Sequence, residues 1–211
     1  MQSEKMGILK IGITGSAGSG KSIVLNAFGD LGLVTLDCDR IARDLVAPDG
    51  RGYEDVVALF GYDVVLEDRN LDRGKMRERI LEKPELRKSL ESILHPLIVE
   101  TLFQRMESAE YEKERACVAE VPLLFELGMG LRFDATVVVR TGEEELVRRI
   151  SLRDGVGKES ARKMLALQMS QEEKVRQSDY VIENRGSLGE LVESVGDLYS
   201  KIKKEFLTRK K

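Results

Sequence analysis

Short apolar runs alternate along the chain with longer stretches in which apolar residues return every three or four positions. The short runs are Ile8–Ile13, Val34–Leu36, Ala116–Val121, Ala135–Val139 and Tyr180–Ile182. Several are apolar nearly throughout instead of alternating, the pattern of parallel strands covered on both faces. Helical periodicity predicts helices over Lys21–Leu31, Arg40–Val46, Tyr53–Phe60, Lys75–Leu81, Glu85–Met106, Glu143–Arg153, Ser160–Met169 and Leu188–Phe206. Strands separated by helices imply βαβ crossovers, hence an α/β fold around a five-stranded parallel sheet. Two intervals exceed the needs of a crossover. Roughly eighty residues of mostly helical pattern separate the second strand from the third, far more than one connection requires. A shorter, heavily charged interval, Thr141–Ser178, separates the fourth from the fifth. Both read as helical insertions into one core.

Composition narrows the classes. With 211 residues and 42% hydrophobic positions, the chain can bury one substantial core with an insertion, or two small ones. The 34 Lys and Arg residues nearly cancel the 37 Asp and Glu residues, leaving a net charge of -3. The chain as a whole therefore offers no electrostatic reason to bind nucleic acid, and an anionic ligand needs a local positive cluster. Cys38 and Cys117 are too few for a disulfide framework, and with His95 the sole histidine no zinc spacing exists. Residues Met1–Gly7 lack an apolar signal core, and the run Ile8–Thr14, broken by Lys10, is too short to span a bilayer. The expectation is a soluble, cytoplasmic protein without membrane or nucleic-acid partners, monomeric or weakly self-associating. Met6 is a candidate natural start. The basic tail Lys201–Lys211 reads as a solvated helix end whose cations complement the macrodipole.

The strongest chemical feature is Gly15-Ser16-Ala17-Gly18-Ser19-Gly20-Lys21-Ser22, a full match to G-x-x-x-x-G-K-[ST] between a strand and an amphipathic helix. Glycines let successive backbone N–H groups curl around phosphate oxygens, and the helix N-terminus adds its positive dipole end. Lys21 would reach the β- and γ-phosphates, and the Ser22 hydroxyl would complete a Mg²⁺ shell. Residues Ala17 to Ser22 thus form a nucleoside-triphosphate site.

Three kinds of P-loop protein then compete: a switch GTPase, a work-performing ATPase and a kinase with a small acceptor. No Asn-Lys-x-Asp guanine-reading motif is present. Cys117-Val118-Ala119-Glu120 matches only in part the apolar strand ending in an acid that motor ATPases carry. The kinase reading asks for an acid beyond the second strand, an acceptor-binding insertion and an arginine-rich lid. Asp37 and Asp39 stand where ligands lie in a doubly wound sheet. As alternate residues of an extended segment they would share a face, and one of them could take the acceptor proton or hold Mg²⁺ through water. The competing reading is that either simply N-caps the helix starting near Arg40. Arg149 and Arg153, four residues apart, fall on one helical face and could converge on phosphate oxygens. Equally, Glu143, Glu144 and Glu145 precede Arg148 and Arg149 at the spacing of a charge-laced exposed helix. His95, in Leu94-His95-Pro96-Leu97, sits where the helical pattern breaks at a proline and reads as a helix-end histidine.

Taken together the segments resemble the dephospho-coenzyme A kinase family. The residues that carry the likeness are the loop Ile13–Ser22, Leu36-Asp37-Cys38-Asp39-Arg40-Ile41-Ala42-Arg43, Leu94–Ile98, Val121-Pro122-Leu123-Leu124-Phe125-Glu126, Arg149 with Arg153-Asp154, and Asp179–Asn184. The resemblance implies a P-loop core (about 7–39, 114–140 and 178–206), an acceptor-binding helical insertion (about 40–113) and a lid (about 141–177). It implies transfer of the ATP γ-phosphoryl group to the ribose 3′-hydroxyl of dephospho-CoA, with Mg²⁺ as cofactor. By similarity Asp39, Lys21 and Arg149 are catalytic, with Asp37 the other candidate base, and Arg153 and Asn184 join the loop in binding ATP, Asn184 near adenine. Asp37, Arg43, His95, Pro122 and Leu123 would line the acceptor side. Cys38 stands where the family usually has Ala, and is read as a small packed side chain.

Overall fold

The computed structural model describes residues 7–112 and 114–209; the candidate start at Met6 lies outside them. The strands are β1 (Leu9–Thr14), β2 (Val34–Asp37), β3 (Ala116–Glu120), β4 (Ala135–Arg140) and β5 (Tyr180–Glu183). They form one sheet in the order β2-β3-β1-β4-β5. β1 runs parallel to both β3 and β4, with Ile13 opposite Glu120 and Val137, and β4 runs parallel to β5. The continuous apolar runs have the predicted cause: every residue of β3 is buried, and so are the first five of β4. Each strand begins and ends within a residue or two of its apolar run, because the sheet ends where two-sided burial ends.

Around the sheet stand α1 (Lys21–Asp30), α2 (Cys38–Leu45), α3 (Tyr53–Phe60), α4 (Arg73–Glu82), α5 (Glu85–Tyr111), α6 (Glu143–Asp154), α7 (Lys158–Ala166), α8 (Gln171–Gln177) and α9 (Leu188–Arg209). The chain divides into two compact units. The first joins the residues up to Leu36 to those from Ser108 onward, and holds the sheet. Its main core gathers Ile11, Ile13, Val137 and Val139 from the strands with Val24 and Phe28 of α1 and Val195 and Ile202 of α9. A satellite core of Val147, Ile150 and Ala161 joins α6 to α7 and takes Ala17 of the phosphate loop against it. The predicted lid interval therefore contains a helix, α6, whose apolar face is buried in the sheet-bearing unit.

The second unit, Asp37–Glu107, is helical. Its core comprises Tyr53, Val56, Val57 and Phe60 of α3 with Val64, Leu71 and Met76, flanked by Leu86, Leu90, Ile93 and Leu94 of α5.

Three expectations are corrected. Helix α2 begins at Cys38, not near Arg40, so Asp39 lies in its first turn and does not share an extended segment with Asp37. Pro96 does not break the pattern: α5 runs through it. A proline there removes one backbone hydrogen bond, but apolar residues are packed before it and Leu102 and Met106 are fully buried beyond it. Helix α8 was not anticipated. Its seven residues are mostly charged or amide, and only Lys174 is buried.

Candidate active site

The phosphate loop leaves the C-terminal end of β1 and turns into α1. Two of its glycines are required by what packs on them. Gly20, at the N-cap of α1, has φ 96°, and a Cβ there would run into the Asn184 side-chain amide. Gly15 has φ 153°, and a Cβ would lie 2.5 Å from the Val139 carbonyl oxygen of β4 and 2.7 Å from Ser19 Oγ. Only a residue without a side chain fits either place.

The loop is held from outside, its carbonyls engaged by donors. Asn184 Nδ2 donates to the Ser19 carbonyl at 2.8 Å, and the Thr141 hydroxyl donates to the same oxygen at 3.0 Å. Both side chains are buried, and Ser19 is fully so. The Ala17 amide donates to Gln168 Oε1 at 3.1 Å. Lys21 Nζ donates to the Ser16 carbonyl at 3.1 Å, spanning the loop five residues back. Ser22 is exposed in the first turn of α1. The Ser19 hydroxyl is buried without a hydrogen-bond partner among the described residues.

Of the two predicted arginines, the structure brings one to the loop. Arg149 Nη1 donates to the Gly18 carbonyl at 3.1 Å, while its Nε is held 2.7 Å from Glu145. Glu145 is shared: hydrogen bonds from Arg148 first and Arg149 second hold its carboxyl well below the usual range, at about 2. The charge ladder expected on α6 is present, and through Glu145 it orients Arg149 toward the loop. Arg153, one turn later, is 60% exposed and paired with Asp154 at 2.7 Å. Asn184, expected near adenine, gives its side-chain amide to the loop itself.

After β3 the chain turns through Pro122 and Leu123, with Leu124 and Phe125 buried beneath. The Pro122 carbonyl accepts from the Thr14 hydroxyl and from Lys174 Nζ, each at 3.1 Å. Glu120, at the end of β3 beside the loop's own strand, is buried.

In the helical unit Asp37 is the N-cap of α2. Its Oδ1 accepts from the amides of Asp39 at 2.8 Å and Arg40 at 3.2 Å. Asp39, in the first turn of the helix, is exposed. Asp39 and Arg43 share the lining of a cavity of about 320 Å³ with Arg73, Met76, Leu90 and Leu94. Asp37 and His95 are not in that lining; His95 is half-buried on α5. Among the described residues no three His, Cys, Asp or Glu side chains are grouped to hold a metal, and no helix is long and apolar enough to cross a membrane.

Sequence reasoning missed Thr141, Gln168, Gln171 and Lys174, which fix the loops around the phosphate site. Nothing local marks them: Lys174 follows Glu172 and Glu173 in a charged run and looks like any solvated lysine.

A parallel sheet of this order, with a G-x-x-x-x-G-K-S cradle between β1 and α1 and an arginine at its lip, defines a P-loop kinase. A shikimate kinase from Acinetobacter baumannii shares this fold, with TM-score 0.51 at 17% identity, covering 92% of this chain and 94% of that one. The family description "Dephospho-CoA kinase" matches residues 9–190. Dephospho-CoA kinases of Syntrophotalea carbinolica and Chromobacterium violaceum are 36% and 39% identical, over 92% and 88% of this chain and 92% and 90% of theirs. The dephospho-CoA kinase structure from Campylobacter jejuni aligns with TM-score 0.64 at 26% identity, over 92% of this chain and 97% of that one. The chain belongs to the dephospho-CoA kinase family.

Proposed function

We propose that the protein transfers the γ-phosphoryl group of ATP to the ribose 3′-hydroxyl of dephospho-CoA, giving CoA and ADP, the last step of coenzyme A synthesis. The observation that carries this reading is an intact, braced phosphate cradle in a chain that matches the dephospho-CoA kinase family over residues 9–190.

The roles follow from chemistry. Backbone amides from Gly18 to Ser22 and the Lys21 ammonium neutralise the phosphates, since phosphoryl transfer is catalysed mainly by positioning and charge. The Ser22 hydroxyl, exposed at the start of α1, suits a Mg²⁺ ion that arrives with ATP, since such an ion takes few protein ligands and keeps phosphate and water oxygens. When bound, that ion screens the phosphate charge. Arg149, already at the Gly18 carbonyl, meets the charge that develops on the transferred group, and Arg153 adds to it. Asp39 is the general base: it takes the proton of the 3′-hydroxyl as the new O–P bond forms and the bond to the ADP oxygen breaks. Asp37 acts mainly through its cap, which orients the turn bearing Asp39. Arg43, His95, Pro122 and Leu123 serve the acceptor, with the apolar cavity beside Arg43 able to take its uncharged arm.

A coupled ADP-release assay tests the reading. Turnover is expected with dephospho-CoA and not with nucleosides or without acceptor. Equal turnover without dephospho-CoA would refute it. Asp39→Asn should lower turnover by about 10²-fold or more, the usual weight of a general base, while ATP binding persists; wild-type turnover would remove Asp39 from the base role.

A further inference from the structure

Among the described residues Lys174 is the most deeply buried charged side chain, 1% exposed, yet it belongs to the short polar helix α8. Burying an ammonium is costly unless it is paired and hydrogen-bonded, so its partners locate its purpose. They are Glu126 Oε1 at 2.8 Å and the Pro122 carbonyl at 3.1 Å. Both lie in the turn that follows β3. The Pro122 oxygen is shared with the hydroxyl of Thr14, the residue that immediately precedes the phosphate loop. One ammonium thus joins α8 to the turn after β3, and through a common acceptor atom to the end of β1.

The same segment does this three times at three-residue intervals. Gln168 takes the Ala17 amide of the phosphate loop. Gln171 clamps the backbone of Thr141 after β4, accepting from its amide at 3.1 Å and donating to its carbonyl at 3.0 Å. Lys174 takes the turn after β3. Each partner lies at the C-terminal end of a different strand, where ligands of a parallel sheet bind.

We propose that Lys174 is a positioning residue for the acceptor: its ion pair with Glu126 and its bond to Pro122 fix the turn bearing Pro122 and Leu123 against the phosphate loop. This rests on the acceptor role assigned to Pro122 and Leu123 above. A positioning role of this kind divides the strap by substrate. Loss of Lys174 displaces the acceptor turn, whereas loss of Gln168 frees an amide of the nucleotide loop.

The test is steady-state kinetics with both substrates varied. Lys174→Met removes a charge-assisted hydrogen bond, so the KM for dephospho-CoA should rise about 10-fold or more, while the KM for ATP stays within about twofold. Lys174→Arg, which keeps the charge and its donors, should restore most of the loss. Because Lys174→Met strands the Glu126 carboxylate, the double variant Lys174→Met with Glu126→Leu is measured beside it. That variant removes both charges and should fold while keeping the raised KM for dephospho-CoA. A wild-type KM for dephospho-CoA in the double variant would overturn the proposal, since the lysine would then only neutralise Glu126. A rise confined to the KM for ATP would overturn it as well. Leu123→Ala separates the two readings. A wild-type KM for dephospho-CoA there, beside a raised one in the lysine variants, removes Leu123 from the acceptor site and leaves the positioning role of Lys174 standing.

Discussion

Thr141 and Asn184 converge on one oxygen, and that sharing makes a sharp prediction. The Ser19 carbonyl is fully buried and accepts from Thr141 Oγ1 at 3.0 Å and Asn184 Nδ2 at 2.8 Å. Thr141→Val keeps the shape and deletes one donor; Asn184→Ala deletes the other. After either single change the carbonyl keeps a partner, so the loss is that of an ordinary buried hydrogen bond, about 1 kcal/mol. The double variant leaves the oxygen with no side-chain donor in a water-excluded place, which adds its own cost of about 1–3 kcal/mol. Urea unfolding of the four proteins at one pH measures the cycle. The double variant should lose more than the sum of the singles by about 1 kcal/mol or more, as expected for residues with a common partner. In a protein of this length each kcal/mol corresponds to about 2–4 °C in Tm. The carbonyl's orientation also sets the amide of Gly20 that follows it, so the KM for ATP should rise most in the double variant. Additivity within about 0.5 kcal/mol would refute the reasoning, because it would mean that the two donors do not hold the same atom.

Other outcomes follow from single features. Gly15→Ala puts a methyl 2.5 Å from the Val139 carbonyl oxygen, which is backbone and cannot swing aside, so ATP binding measured by calorimetry should be lost or severely weakened. Asp37→Ala removes the cap of α2 and should cost about 1 kcal/mol in thermal unfolding, whereas Asp39→Asn should leave the melting curve near that of the parent while turnover falls by about 10²-fold or more. Glu145 is held at about 2 by Arg148 and Arg149, so its ionised form favours the folded state. That contribution is complete above its unfolded value near 4.5 and is lost as pH falls toward 2, which a carboxyl NMR titration of native protein reads directly. Burial pushes the Cys117 thiol up to about 12, so in the folded protein it should be inert to a thiol reagent at neutral pH and react only on unfolding.

Much of this was legible in the residues, for reasons that can be named. Two-sided burial forces apolar runs, so the strands could be located to within a residue or two; the loop motif needs glycine at positions that the fold indeed crowds. The balance of charges left an anionic ligand to a local cluster of positive groups, and Lys21 and Arg149 both stand on phosphate-loop carbonyls. Which of Asp37 and Asp39 caps α2 is set by the helix starting one residue after Asp37, because capping depends on backbone geometry and both acids satisfy the same composition rule. The helical periodicity ran through Pro96, but that the helix is not broken there is decided by the apolar packing that outweighs one missing hydrogen bond, which is tertiary.

What the sequence determined by itself was the class of fold and the phosphate chemistry, since both depend on local periodicity and on a contiguous motif. What only the tertiary structure decided was the bracing of that motif. Thr141, Gln168, Gln171, Lys174 and Asn184 each reach their partners across at least 30 positions. No periodicity records such a bond; it exists because a parallel sheet gathers the ends of distant strands at one edge, where polar side chains from the connecting segments complete the hydrogen bonding that the strands leave open.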